Sequence, residues 1–537
     1  MKRVLRIVLL VLIWLAVGAA SFRTAYLYAQ NKQSKDIYSN LHLFNQVLEK
    51  LKANYVDDLD NEELINNAIE GMFKDLDPHT TFFSEDEFED FTTGTKGEFG
   101  GLGIRIDKKG DYITVVSPME GTPAYKMGIM AGDKIIKVDG ESVVAVSTDD
   151  AIKKMRGDKG TKVVLTISRP GVKDPLDFEI IRDIIKIQSV PYAFKTNSGV
   201  GYIKVNQFNA NTTEEFRAGL DGLEKAGING LIIDLRYNPG GLLSEAVNMV
   251  NEFIGKDKLV VFTKGRAEGT TTEYKTRYNR QREGYPVVVL INEASASAAE
   301  IFAGTMQDYD KALVLGKPSF GKGSVQQLFP LSMGKGIKIT VSHYYIPSGR
   351  CIHKKINDKI LRGKEVSEEE KKEAKIETDN EIYKTLVKQR EVHGGGGINP
   401  DVELEREPIT NFEIELRRNN MFFNYAIDYS LNNGNKITKD YKVDEKTFQD
   451  FLSKVTEKGI KYTPADVDSA KTFIEVSLES DILSKNFGTE IAYQHNLELD
   501  KQYQEAVKIL ENHHTLDDLF DYALSRKKEV SNDGKQN

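Results

Sequence analysis

Residues 287–291 read Val-Val-Val-Leu-Ile, an uninterrupted apolar and mostly β-branched run, and residues 298–306 after it are small, apolar and strong helix formers. A run of that kind is a buried strand, so the chain must also supply layers that cover it. From Gly199 onward it does, alternating strand and helix at 200–205, 213–225, 231–235 and 242–253. The pattern predicts a layered α/β core. At 537 residues, 29% charged and 40% hydrophobic, the chain is long enough for several domains. Its net charge of −8, with basic and acidic residues interspersed, leaves no electrostatic footprint for nucleic acid, which is not expected as a partner.

The junction between that strand and that helix holds Ser295 and Ser297. A serine there sits beside unpaired backbone N–H groups and the positive end of the helix dipole, both of which suit an oxyanion. Downstream, Gly321-Lys322-Gly323 sets one lysine between two glycines before a strand-like segment, 324–328. A lysine takes a serine proton only if a dry pocket lowers its pKa towards ~7 to 8. Serine–lysine pairs of this kind are a known variant of the catalytic triad. Plainer readings compete. Either serine can simply cap the helix, and the glycine-flanked lysine can be an ordinary turn. Residues 316–322 also spell G-x-x-x-x-G-K, but Gly323 stands where a phosphate loop needs Ser or Thr, and a strand follows instead of a helix. Asn238-Pro239-Gly240-Gly241, between the second strand and its helix, is either a helix-start turn or the second donor of an oxyanion hole.

The N-terminus combines a basic start with an uncharged apolar run over 7–22, which makes it an export signal or an anchor. Followed by Arg23, it is read as an anchor that leaves the remainder outside the cytoplasm. The lone Cys351 cannot form an internal disulfide and is read as inert, with His353 two residues on. Residues 34–90 have helical periodicity until Asp77-Pro78-His79 breaks it, and His79 is read as structural. Residues 352–392 are polar and mostly helical in pattern, followed by His393 and four glycines read as a flexible linker. From Asn411 the chain is amphipathic helix, with a charged tail from Arg526. No Cys-pair or H-E-x-x-H metal spacing occurs, and neither metal nor cofactor is expected.

Residues 97–183 resemble a PDZ domain, with Gly101-Leu102-Gly103-Ile104 as the loop that would hold a terminal carboxylate beside an added peptide strand. From about Ser34 to Leu404 the chain resembles the carboxy-terminal processing, or tail-specific, serine peptidases. The resemblance rests on LDPHT at 76–80, FGGLGI at 99–104, DLRYNPGG at 234–241, NEASASAAEIFAGTMQD at 292–308, GKPSFGKGSVQ at 316–326 and GINPDVEL at 397–404. It implies an α/β, crotonase-like protease core with an inserted, β-rich PDZ domain and helical regions at both ends. The corresponding domains are 1–30 (signal anchor or signal peptide), 34–92 (N-terminal helical region), 93–183 (PDZ), 184–405 (core, with a polar insertion at 352–396) and 406–537 (C-terminal helical extension). It further implies Ser297 as nucleophile, Lys322 as general base, Gln326 orienting the lysine, and Gly240, Gly241 and Ala298 as oxyanion donors. Asp308 is a structural aspartate near the site. The expected activity is endoproteolysis in the cell envelope on proteins with exposed C-termini. Homo-oligomerisation, a regulatory adaptor and membrane contact through the N-terminal segment are also expected. A catalytically idle PDZ scaffold is the alternative.

Overall fold

The computed structural model describes residues 37–354, 381–405 and 409–533, with Arg23, Lys359 and Ser367 as isolated positions. The run expected to be an anchor lies outside the described residues, as do most of residues 355–380. No helix among the described residues is long and apolar enough to cross a membrane.

The chain divides into two units, residues 1–76 and 77–537. In the first, α1 (residues 37–54) and α2 (Asn61–Phe73) form where the periodicity predicts helix, and Asp60 caps α2 by accepting from the Glu63 N–H. In the second, β1 (Thr81–Phe83) and α3 (Glu85–Lys96) lead to β2 (Glu98–Gly101), which pairs antiparallel with β9 (Asp183–Lys186). This two-stranded neck closes off a separate β domain. Its sheet has the order β3 (Ile104–Lys109), β4 (Tyr112–Pro118), β5 (Lys134–Val138), β7 (Lys162–Ser168), β8 (Leu176–Ile181), with β6 (Glu141–Ser142) on β5. Alternation decides its faces: Val163, Leu165 and Ile167 of β7 point into a core with Ile113, Val115 and Ile135. Two helices complete the domain, the short α4 (Pro123–Lys126) and α5 (Thr148–Met155), the latter capped by Ser147. In this order β3 is an edge strand, with one side open.

The central sheet runs β10 (Tyr192–Lys195), β11 (Val200–Lys204), β12 (Gly230–Asp234), β15 (Val287–Ile291), β16 (Leu313–Gly316), β21 (Val402–Glu403), all parallel except β10. Strands β11, β12, β15 and β16 are buried along their whole length because both faces of the sheet are covered. Val287, Val289 and Ile291 face α6 (Thr212–Lys225), α7 (Leu243–Val250) and α8 (Ala298–Asp308). Val288 and Leu290 face the other way, onto Leu510 and Phe520 of the two last helices, numbered below. Each such side chain contributes about 1.5–3 kcal/mol on burial. A second, antiparallel sheet carries the lysine loop: β18 (Gly336–Tyr345) pairs with β17 (Ser324–Pro330), β1 and β13 (Leu259–Gly265), and β13 with β14 (Thr272–Lys275).

Two expectations are corrected here. Within the segment read as a helical insertion, Ile382–Lys384 and Glu391–His393 form a β-hairpin, β19 and β20. Tertiary contacts override helical propensity there: Asp310 accepts from the Val387 and Lys388 N–H groups and pairs with Arg390, which also reaches Asp401. The glycines at 394–397 are not a flexible linker. Gly397 lies so close to Ser319 that a Cβ would stand 2.7 Å from its carbonyl oxygen, and the next residue, Ile398, donates its N–H to the Ser319 hydroxyl. The C-terminal extension is helical, as its pattern predicts, and reaches back to the central sheet. After a bundle of α9 (Asn411–Arg418), α10 (Met421–Asn433), α11 (Glu445–Glu457), α12 (Pro464–Phe487) and α13 (Thr489–Asn496), the helices α14 (Lys501–Asn512) and α15 (Leu516–Asp533) form the second covering layer of the central sheet.

Candidate active site

The chain leaves β15 at Ile291, turns through residues 292–297 and enters α8 at Ala298. Ser295 is spent inside this turn: its hydroxyl donates to the Leu235 carbonyl at 2.8 Å and accepts from the Asn292 N–H at 2.9 Å, with no exposure. It staples the end of β15 to the loop after β12 and is unavailable for chemistry. Ser297 stands at φ +54°, ψ −115°, a conformation that side-chain-bearing residues avoid. The turn therefore presents Ser297 at the dipole-positive end of a fully buried helix.

Gly240 closes on this turn. A Cβ there would lie 2.7 Å from the Ser297 Cβ and 2.8 Å from the Ala298 nitrogen, and its φ of +93° also demands glycine. Gly241, at φ +139°, would push a Cβ to 2.0 Å from the Phe208 carbonyl oxygen. Asn238 shapes the loop, accepting from the Gly240 N–H at 2.8 Å, donating to the Val205 carbonyl at 2.9 Å and receiving the Ala296 N–H at its own carbonyl. This corrects the expected donor set, because the Gly240 N–H is already engaged. Among the described residues no acceptor takes the N–H groups of Gly241 or Ala298, so these two can meet an oxyanion.

Lys322 arrives from the loop between β16 and β17. That loop continues into a strand, as the failed phosphate-loop pattern requires, and it is threaded tightly: a Cβ at Gly323 would meet the His353 backbone at 2.7 Å. Burial pushes the Lys322 ammonium below its ordinary pKa and the nearby Lys338 cation adds to this, while Glu300 and Asp77 oppose. One group missed in the sequence ties this loop to the Ser297 turn. The Glu300 carboxylate, in the first turn of α8 and fully buried, accepts at Oε2 from the N–H groups of Ser297 (2.8 Å) and Lys322 (2.9 Å), and at Oε1 from the Gly321 N–H and the Ser319 hydroxyl. On the other side, the hydroxyl of buried Tyr344 lies within hydrogen-bonding reach of the carbonyls of both Ser297 and Lys322. Ser-x-x-Glu at 297–300 is a capping-box spacing, and that signal could have found Glu300.

Gln326 does not orient Lys322 here. It stands opposite Thr340 in the β17–β18 ladder, and its amide nitrogen donates to Ser324 Oγ (3.0 Å) and Thr340 Oγ1 (3.1 Å). Thr340 donates in turn to Asp77, which also accepts from the Thr80 hydroxyl and the His79 N–H, so the turn at 76–80 buttresses β18. Asp308 is structural but not near the site. It ends the 11-residue α8, about 16 Å along the axis from Ser297, and is buried against Arg350 at 2.9 Å with the Ser348 N–H on its other oxygen.

In the β domain, the Leu102 and Gly103 carbonyls are tied to the Ala124 and Met119 N–H groups. Gly103, at φ +75°, packs where a Cβ would strike Thr122. The N–H groups of Leu102 and Gly103 have no acceptor among the described residues. Ile104 follows directly as the first residue of the open-edged β3. Gly101, by contrast, is held in the β2–β9 ladder opposite Asp183.

Residues 199–361 match the pattern described as Peptidase family S41, residues 92–168 that of the PDZ domain, and residues 13–87 that of the activating protease CtpB N-terminal domain. Residues 412–488 match a family of unknown function. The chain is 39% identical over 322 residues to a carboxy-terminal-processing protease of Bartonella bacilliformis, covering 59% of this chain and 74% of that one. It is 35% identical over 364 residues to the carboxy-terminal processing protease CtpA of Bacillus subtilis, covering 66% and 76%. Among solved structures it is similar to a photosystem II D1 C-terminal processing protease, at 26% identity and TM-score 0.36 over 67% of this chain and 86% of that one. Fold and sequence patterns define a peptidase core of α/β class carrying a PDZ domain. The chain belongs to the carboxy-terminal processing peptidases.

Proposed function

We propose that this peptidase is a serine endopeptidase using a Ser297/Lys322 dyad, with its PDZ domain tethering substrates by their C-termini. The observation that carries the reading is the shared anchorage of Ser297 and Lys322 on one carboxylate and one hydroxyl, which brings a strained serine turn beside a lysine whose pKa burial lowers. The neutral Lys322 amine takes the Ser297 hydroxyl proton as Oγ bonds to the peptide carbonyl carbon. The negative charge then carried by the carbonyl oxygen meets the N–H groups of Gly241 and Ala298. Collapse breaks the C–N bond, and Lys322 returns its proton to the leaving amine. Lys322 then takes a proton from water as the water oxygen bonds to the acyl carbon, and returns it to Oγ as the C–Oγ bond breaks, which releases the acid and restores Ser297 and the neutral amine. The substrate tail adds antiparallel to β3, its carboxylate received by the N–H groups of Leu102 and Gly103. From the basic start and apolar run of its N-terminus, the working side is the envelope, beyond the cytoplasmic membrane. Association with further copies of the chain and with a regulatory adaptor belongs to the same reading.

The test incubates the full chain with loosely folded proteins that differ only at their C-termini and follows products by mass spectrometry, with Ser297→Ala and Lys322→Ala alongside. Cleavage should vanish in both variants, a loss of at least roughly 10³-fold, and should follow the C-terminal residues in the parent. Binding by C-termini without cleavage in the parent would favour a scaffold instead.

A further inference from the structure

We propose that Glu300 is a positioning residue of the site, the carboxylate that sets nucleophile and base at a working separation; this rests on the Ser297/Lys322 reading above. Around Glu300, α8 is built of small and apolar side chains, Ala298, Ala299, Ile301, Phe302, Ala303 and Gly304, and every one of them is buried. An ionised carboxylate in such a place is strongly disfavoured unless its lone pairs are filled. Here they are: each oxygen accepts two donors, and these come from two stretches of chain, residue 297 and residues 319–322. Among the described residues Glu300 forms no ion pair, so its whole complement of partners is the two turns that hold the chemistry.

The arrangement is specific to glutamate. Glutamine has one acceptor oxygen, and its NH₂ would face two N–H or O–H donors. Aspartate is shorter by a methylene and cannot reach both turns from the helix. Tyr344 fastens the opposite side of the same two residues through their carbonyls, so Glu300 and Tyr344 together leave Ser297 and Lys322 little freedom to separate. Glu300 also has an electrostatic effect. The charged groups around Lys322 are Lys338 on β18, Asp77 in the turn at 76–80, and Glu300 on α8; Lys338 and burial favour the neutral amine, and the two carboxylates favour the ammonium. Burial pushes the Glu300 carboxyl up, and the four donors aimed at it work the other way.

The full chain and its Glu300→Gln, Ser319→Ala and Ser297→Ala variants are compared for kcat, KM, the pH profile of kcat/KM and Tm. In Glu300→Gln kcat should fall roughly 10²-fold, the scale of loss when reacting groups are misplaced by about an ångström, with KM unchanged. Removing the negative charge should also move the acid limb of the profile to lower pH, because Lys322 then loses its proton more readily. A residue that only supports the fold would lower Tm and leave the limb in place, and that result overturns the proposal. So does parent-level kcat in folded Glu300→Gln. If Glu300→Gln does not fold, Ser319→Ala, which deletes one of the four donors, should lower kcat several-fold at constant KM, and parent kcat there overturns it. Cleavage that survives Ser297→Ala overturns the dyad itself, an outcome separate from any result at Glu300.

Discussion

Ser297 is held in a backbone conformation that costs on the order of 1–3 kcal/mol, and the contacts that hold it reach residues remote in sequence: Gly240 and Tyr344 directly, and Lys322 through the Glu300 carboxylate that both N–H groups share. Strain at a single residue, sustained by its surroundings, distinguishes it from Ser295, whose hydroxyl is consumed by Leu235 and Asn292. Sequence reasoning on the residues alone left the two serines open, because both stand where a cap would; only the hydrogen-bond accounting separates them. Lys322 poses the same problem in electrostatic form. Its ammonium is disfavoured by burial and by Lys338, a cation over the rings of Phe83 and Phe91. As the proposed base Lys322 works only when neutral, so kcat/KM should rise with pH through a Lys322 pKa that lies below the ordinary lysine value. Lys338→Met removes the repelling charge and should move that acid limb to higher pH, opposite to the shift expected for Glu300→Gln. A pH–rate profile that does not move would mean that burial alone sets the lysine.

At the scale of elements, the loop of Gly240 and Gly241 is held from both ends. Asp234, last residue of β12, is kept ionised well below the usual carboxylate range by Arg236 and Lys204, against its own burial. Arg236 spans Asp234 and Asp500, the latter at 2.6 Å, and Asp500 is also the N-cap of α14, accepting from the Tyr503 N–H. A helix more than 250 residues downstream thus braces the strand end from which the loop of Gly240 and Gly241 springs. Asp500→Asn should lower unfolding free energy by roughly 3 kcal/mol, the order seen when a buried pair loses one partner, and should reduce kcat while leaving binding of C-terminal peptides intact. Denaturant unfolding and peptide titration on the same preparation check both halves. Amphipathic helix was legible in the C-terminal sequence, but its partner was not: an apolar stripe states that a face must be covered and says nothing about by what.

For the whole unit of residues 77–537, the PDZ domain rests on the C-terminal bundle. Lys109 at the end of β3 stands 3.2 Å over the ring of Phe423 in α10, Ile427 packs where a Cβ on Gly132 would fall, and Lys485 of α12 donates to the Ala131 carbonyl. Asp481, also on α12, faces Lys109. Burial raises the Asp481 carboxyl to about 6 and lowers the Lys109 ammonium to about 8. Because the folded Asp481 pKa lies above its unfolded value of 3.8, the folded chain holds a proton that the unfolded chain releases. Its contribution to stability is therefore fully present below pH 3.8 and is lost as the pH rises through about 6. Asp481→Asn should accordingly raise Tm relative to the parent at pH 7 and show little difference at pH 4, which paired thermal scans at the two pH values will read. A difference of the same size at both would show that the residue matters for packing rather than charge.

Local pattern by itself determined a good deal here. The apolar run at 287–291 had to be a buried strand, the alternation at 162–168 had to be a half-buried one, and the ordered motifs implied the family, because periodicity and turn chemistry act over neighbouring residues. What only the tertiary structure decided was partnership. The Gly240 N–H is lost to Asn238, Gln326 turns to Thr340, Asp308 lies at the far end of its helix, and Gly397 is packed against Ser319 rather than free. Glu300 is the clearest case. Its capping-box spacing to Ser297 is local, but the burial of its carboxylate becomes intelligible only when folding brings Ser319, Gly321 and Lys322 to its two oxygens. Hydrogen bonds between residues distant along the chain carry no local signature, so the choice of partner belongs to the fold.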